Sequence, residues 1–209
     1  MRQLFDDAAR GRFPRPDWRL DVMPAPERAA AAVVALTGHH VIAAGLEREE
    51  LERAFDPDDI AAPFNPTFLA WLGRRLEATV GHIDATLARI GTGDNAGWLQ
   101  ETTSPQNNER VRRANRLRAD VRFYRPPDGG SIVTLGRGLA GRLEISMEID
   151  EQRARNRGLG TRLVQAAVGL VPADEAVFAG VAPGNARSLR VLLAAGFRPI
   201  GAECILTRP

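Results

Sequence analysis

Between Arg155 and Val164 the chain reads RNRGLGTRLV, two glycines and three arginines where a loop gives way to a helix. That combination suits an anion. The first turn of a helix leaves backbone N–H groups without partners and carries the positive end of the helix dipole. Gly158 and Gly160 have no side chain to block close approach, so the amides of Leu159, Gly160 and Thr161 can point at a phosphate. Arg155, Arg157 and Arg162 add charge around the same spot. A glycine pair at a helix start is also a simple way to pack a helix closely on a sheet, so the pattern alone leaves both readings open. Just upstream, RLEISMEI alternates as a strand does, with Glu144, Ser146 and Glu148 on one face and Ile145, Met147 and Ile149 on the other. Two carboxylates on one face are candidate proton acceptors.

Familiar phosphate motifs are excluded by single residues. A dinucleotide-binding fingerprint needs a third glycine where Leu163 stands, and a P-loop needs a lysine. The chain has none: all 28 of its basic residues are arginine, which also removes any lysine nucleophile or Schiff base. Against 26 acidic residues the formal net charge is only +2, too balanced for a strongly basic nucleic-acid binder. One cysteine, Cys204, rules out an internal disulfide and a cysteine-built zinc site, and in an apolar stretch it reads as packing. His39 and His40 are adjacent and so face opposite ways on a strand, with His82 far off; no metal site is expected. The N-terminal stretch lacks the apolar core of a secretory signal, and the longest apolar run, from Ala29, is broken by Gly38, His39 and His40. A cytoplasmic protein without a membrane span is expected.

The elements that must position these residues can be placed coarsely. VVAL and HHVIAA read as strands, or as one interrupted strand, around Gly38, and LEREELERAF as a short helix ending before Pro57. Asn65-Pro66 opens a second helix, with a cap residue followed by proline, whose Phe68, Leu69, Trp71, Leu72 and Leu76 form a buried side. Residues 91–108 are rich in Gly, Thr, Asn and Ser and predict a long loop, mobile or functional. ERVRRANRLRAD (109–120) predicts a helix with a solvated arginine face. VRFYR, SIVTLGRG and RLEISMEI, separated by PPDGG and LAG turns, predict an antiparallel meander. Then come a helix from Gly158 to Leu170, a buried strand AVFAGVA, a helix opened by Asn185, and a final strand.

R-x-x-G-x-G at Arg155, Gly158 and Gly160, preceded by an antiparallel strand, resembles the pyrophosphate-binding signature of the GNAT acyltransferase superfamily. NARSLRVLLAAGF resembles that superfamily's second signature, with Asn185, Ser188, Gly196 and Phe197 on matching positions, and the order of elements over about residues 120–209 is also similar. The resemblance implies an α/β fold with a mixed, mostly antiparallel sheet flanked by helices. It implies one domain over 1–209, in which 116–209 is the acetyl-coenzyme A core and 1–115 supplies a strand and enlarged helices that shape the acceptor site. It further implies acetyl-coenzyme A as cosubstrate and a primary amine, of a small molecule or a peptide, as acceptor. The diphosphate would sit on Arg155, Arg157, Gly158, Leu159, Gly160 and Thr161, with Asn185 and Ser188 nearby, and the pantetheine arm on the main chain from Glu148 through Ile149 to Asp150. In the histone-acetylating branch the base lies eleven residues before the first motif position, which is Glu144 here, with Glu148 second. Both could instead be surface carboxylates facing arginines such as Arg122 or Arg137.

Two departures bear on these implications. Many superfamily members place a tyrosine acid where this chain has Leu192, and the sole tyrosine, Tyr124, lies elsewhere; a silent coenzyme A-binding sensor is therefore the alternative function. Only twelve residues follow Phe197, so the last strand is expected to be short or missing. The open wall of the acceptor pocket is then left to the N-terminal helices, the 91–108 loop, or a second copy in a homodimer.

Overall fold

The computed structural model describes residues 1–54, 59, 61–94, 97–103, 105, 108–149 and 158–208. In chain order the elements are α1 (Arg2–Ala9), β1 (Leu20–Met23), β2 (Ala31–Leu36), β3 (His39–Ala43), α2 (Arg48–Ala54), α3 (Pro66–Arg75), β4 (Thr79–Ile90) and β5 (Gln100–Glu101). There follow α4 (Glu109–Leu117), β6 (Ala119–Arg125), β7 (Ser131–Arg137), β8 (Leu143–Ile149), α5 (Leu159–Gly169), β9 (Ala176–Val181), α6 (Ala186–Ala194) and β10 (Arg198–Thr207). The chain clusters into two compact units, one of Met1, Gln3–Thr86 and Ile200–Pro209, the other of Arg2 and Leu87–Pro199.

In the first unit, strands rich in small and β-branched residues and buried on both faces build a mixed sheet. β2 pairs antiparallel with β3 and with β10, and β1 adds to β3 in parallel, Leu20 opposite His40. Ala31, Val33, Ile42, Cys204 and Leu206 from its strands pack with Leu51 of α2 and Phe68, Leu69 and Leu72 of α3. Asn65 caps α3, its side-chain oxygen accepting from Thr67 N at 2.9 Å, and Pro66 takes the first helical position. The β2–β3 turn is fastened by close packing: Gly38, at φ +76°, leaves room for Pro16, and Trp18 N donates to its carbonyl at 2.8 Å. His39 lies between Asp17 and Asp21, with its two ring nitrogens at 3.1 and 3.0 Å from their carboxylates.

The second unit contains the predicted meander. β6, β7 and β8 pair antiparallel, β5 extends the edge, and β9 lies parallel to β8 with the end of β4 as its other neighbour. Asn108 caps α4 through Val111 N at 2.9 Å, and Val111 and Ala114 are the buried face of that helix, with Arg112 and Arg116 exposed.

The N-terminal half holds more strand than the sequence suggests: β2 and β3 fall on VVAL and HHVIAA, but β1 and β4 are strands as well, and among the described residues its helices up to α3 are 8, 7 and 10 residues long. At the other end, a single ten-residue strand, β10, takes up nearly everything after Phe197. Its neighbours are β2 and β4, both from the N-terminal half.

The close approach at Gly38 is testable. A Cβ there would lie 2.7 Å from Pro16 Cβ on a left-handed backbone. Gly38→Ala is expected to cost about 2–3 kcal/mol and to lower the thermal midpoint by roughly 5–10 °C, measured by calorimetry.

Candidate functional site

The parallel pairing of β8 with β9 is short. Among the described residues it is recorded at Leu143 opposite Val177 and Glu144 opposite Phe178, and no further. On its other edge β8 stays in register with β7 through Ile149 opposite Ser131. From Ile145 to Ile149 the β8 backbone thus keeps one edge laddered to β7, while no described pairing to β9 occupies the other. A strand edge of this kind offers alternating N–H and C=O groups to an extended, amide-bearing ligand.

The chain leaves β8 at Ile149 and re-enters the described structure at Gly158. Asp150, Arg155 and Arg157 lie outside the described residues. Gly158 stands at φ +99° as the N-cap of α5, with no side-chain cap, and Arg162 N to Gly158 O at 3.0 Å closes the first helical turn. The amides of Leu159, Gly160 and Thr161 therefore precede the first intrahelical bond. The two glycines do different jobs. A Cβ on Gly158 would meet none of the described residues within 4 Å, so what requires glycine there is the left-handed backbone. A Cβ on Gly160 would lie 3.1 Å from Val191 Cγ2 and 3.2 Å from Ile149 Cδ1, so its bareness seats α5 against α6 and β8. Of the two readings of the pair, close packing is what Gly160 shows. Asn185 caps α6 by accepting from Ser188 N at 3.1 Å, which joins these two predicted residues directly. Leu192, one of the apolar positions of α6, is buried.

On the opposite face of β8, Glu144, Ser146 and Glu148 stand across from Gly136, Thr134 and Ile132 of β7. Glu144 is deeply engaged: it accepts from Arg142 Nε at 2.8 Å, Arg118 Nε at 3.0 Å and the Leu139 amide at 3.3 Å. Its carboxyl group fills the place of a side chain on Gly138. Arg142 is fully buried, its guanidinium 5.4 Å from the centre of the Phe178 ring. Arg118, just past α4, also reaches Thr134 Oγ1 at 3.0 Å and Ser146 Oγ at 3.3 Å, and those two hydroxyls lie 2.6 Å apart. Burial pushes the Glu144 carboxyl up, but the charges of Arg142 and Arg118 and their hydrogen bonds outweigh it and hold the group below its ordinary range. Its partners are not Arg122 or Arg137; the latter pairs with Glu175. Glu148, two pleats on, is exposed. Arg118 and Arg142 were not anticipated, although Arg118 closes the arginine-rich stretch and Arg142 lies two residues from Glu144. Among the described residues no cluster of His, Cys, Asp or Glu suits a metal ion, and no helix is long and apolar enough to cross a membrane.

No protein-family model matches the chain, and no curated protein matches it. Solved structures do. A GNAT-family protein from Novosphingobium aromaticivorans aligns with TM-score 0.45 and 18% identity over 63% of this chain and 66% of that one. A GCN5-related N-acetyltransferase from Kribbella flavida aligns with TM-score 0.38 and 17% identity over 68% and 63%. A Drosophila protein aligns with TM-score 0.41 and 14% identity over 67% and 56%. The chain thus spans about two-thirds or less of the length of these proteins.

The Glu144 cluster makes a prediction about stability. Glu144→Gln leaves two guanidiniums without their carboxylate and is expected to cost about 3 kcal/mol. Because the folded protein holds this group below its unfolded value of 4.5, its contribution is complete above that pH and is lost as pH falls through the folded value. Denaturant unfolding of the wild type between pH 7 and 3 should show an acid-limb loss that the Gln variant lacks in part.

Proposed function

We propose that this chain binds acetyl-coenzyme A and transfers its acetyl group to a primary amine. The observation that carries the reading is the parting of β8 from β9 followed in sequence by the uncapped first turn of α5. A pantetheine arm is a chain of amides, which the free edge of Ile145–Ile149 suits, with Glu148 and Ile149 at its outer end. A diphosphate suits the amides of Leu159, Gly160 and Thr161 at the turn that begins at Gly158, and Asp150, Arg155 and Arg157 are proposed to complete that grip. Asn185 and Ser188, at the start of α6, are proposed to border the cofactor. No metal is called for.

In the transfer the amine nitrogen attacks the thioester carbonyl; a C–N bond forms, the C–S bond breaks, and the thiolate leaves. The amine must first be neutral, since an ammonium has no lone pair, and a carboxylate on the acceptor face of β8 accepts its proton directly or through water. Glu144 and Glu148 both qualify by position. The two guanidiniums on Glu144 make it a weak proton acceptor, which favours Glu148 as the base and Glu144 as the anchor that fixes Arg118 and Arg142 around it. The coenzyme A thiolate is a good leaving group, and its departure does not depend on the acid that the resemblance would place at Leu192.

That buried leucine favours one second reading, a coenzyme A-binding module without turnover. Calorimetry with coenzyme A and thiol release from acetyl-coenzyme A across a panel of amines separate the two. Heat on titration together with thiol release supports the transferase; heat without release on any amine supports the silent module; absence of heat overturns both. Within the transferase reading, Glu148→Gln is expected to lower kcat by about a hundredfold while cofactor affinity is kept.

A further inference from the structure

The beginning of the 91–108 segment, read from sequence as a mobile or functional loop, is fastened to the end of α5 by residues 92–94. Thr92 N donates to Val168 O at 3.3 Å, Gly93 N to Val171 O at 2.9 Å, and Asp94 lies against Gly169, where a Cβ would come within 3.2 Å of its carbonyl oxygen. These contacts hold the end of α5. Trp98, four residues further on, has moved back toward the beginning of the helix: the guanidinium carbon of Arg162 sits 4.1 Å from the centre of its ring. This is a short cation–π contact on an otherwise exposed arginine.

Arg162 lies four residues after Gly158 and hence on the same helix face, one turn along. A helical side chain leans toward the N-terminus and covers the turn preceding its own Cα. That lean directs the Arg162 side chain toward the turn that begins at Gly158, where no described residue lies within 4 Å of an added Cβ. Arg112, Arg118, Arg137 and Arg142 of the same unit each have a carboxylate partner, and among the described residues Arg162 has none. Stacking on an indole occupies one face of a guanidinium and leaves its N–H edges to donate, the arrangement that suits a phosphate.

We propose that Trp98 is a positioning residue that holds Arg162 at the α5 turn as a donor to the diphosphate of coenzyme A, making the indole a wall of the cofactor site. The inference rests on the function proposed above. It predicts a specific selectivity, because Arg162 touches only the phosphate-bearing part of the ligand. Calorimetry with coenzyme A and with pantetheine, which lacks the diphosphate, reads it for the wild type, Trp98→Ala, Trp98→Phe, Arg162→Gln and the Trp98→Ala/Arg162→Gln double variant. Trp98→Ala and Arg162→Gln should each weaken coenzyme A by about tenfold and leave pantetheine unchanged. Trp98→Phe should restore most of the affinity, and the double variant should lose little beyond either single one.

Equal weakening of both ligands by Trp98→Ala would mark a merely structural tryptophan, and unchanged coenzyme A affinity in Arg162→Gln overturns the proposal by itself, since that exposed substitution leaves the core untouched. Either result leaves the acetyltransferase reading standing. A wild type that gives no heat with coenzyme A removes both together.

Discussion

A parallel pair of strands that separates after two residues sets the character of the second unit. Every further hydrogen bond between β8 and β9 would close the gap and satisfy both edges; without them, five residues of β8 carry backbone polarity toward whatever enters. The loss is tolerable because β8 keeps its full ladder with β7 on the other side, so the strand stays straight and its side chains stay sorted by face. Sorting is what separates the two jobs. Ile145 and Ile149 go to the side where α5 packs, and Glu144, Ser146 and Glu148 to the side approached from the end of α4.

Charge is organised around the same strand. In a chain whose cations are all arginine, the guanidinium's planar fork is available wherever a carboxylate can be clamped from two directions, as Arg118 and Arg142 clamp Glu144. A buried ion triad is not a strong source of stability, because desolvating three charges offsets most of their attraction. Its value is directional. It ties the residue after α4 to the middle of β7 and β8 through Thr134 and Ser146, so the Glu144 face of the strand is held by hydrogen bonds whose geometry is specific. Arg162, by contrast, stacks on an aromatic ring and keeps its donors, and the two treatments of arginine mark the difference between a charge built into the fold and one left facing outward.

Much of the second unit could be read along the chain. The turn residues of PPDGG and LAG, the alternation of RLEISMEI, the cap at Asn185 and the glycines at 158 and 160 are local signals, and each element formed where its own residues favour it. The first unit was less legible. β4 was missed because TVGHIDATLARI runs from an exposed beginning to a buried middle and so shows no steady period of two. β1 is four residues long and pairs in parallel, which leaves almost no pattern to find. The helices at LEREELERAF and after Asn65-Pro66 did form, as α2 and α3, because the cap at Asn65 and the apolar spacing of both are local signals.

By itself the sequence determined the local conformations: where α5 and α6 begin, which side chains of β8 share a face, and that an arginine-flanked glycine turn follows that strand. These are matters of steric allowance and period, decided within a few residues. Only the tertiary structure decided that β8 parts from β9, that Glu144 is enclosed by Arg118 and Arg142, and that Trp98 lies on Arg162. Each of those depends on residues tens of positions apart meeting at contact distance, and neither the span of a strand pairing nor the choice of an ion partner is encoded in the spacing of neighbours.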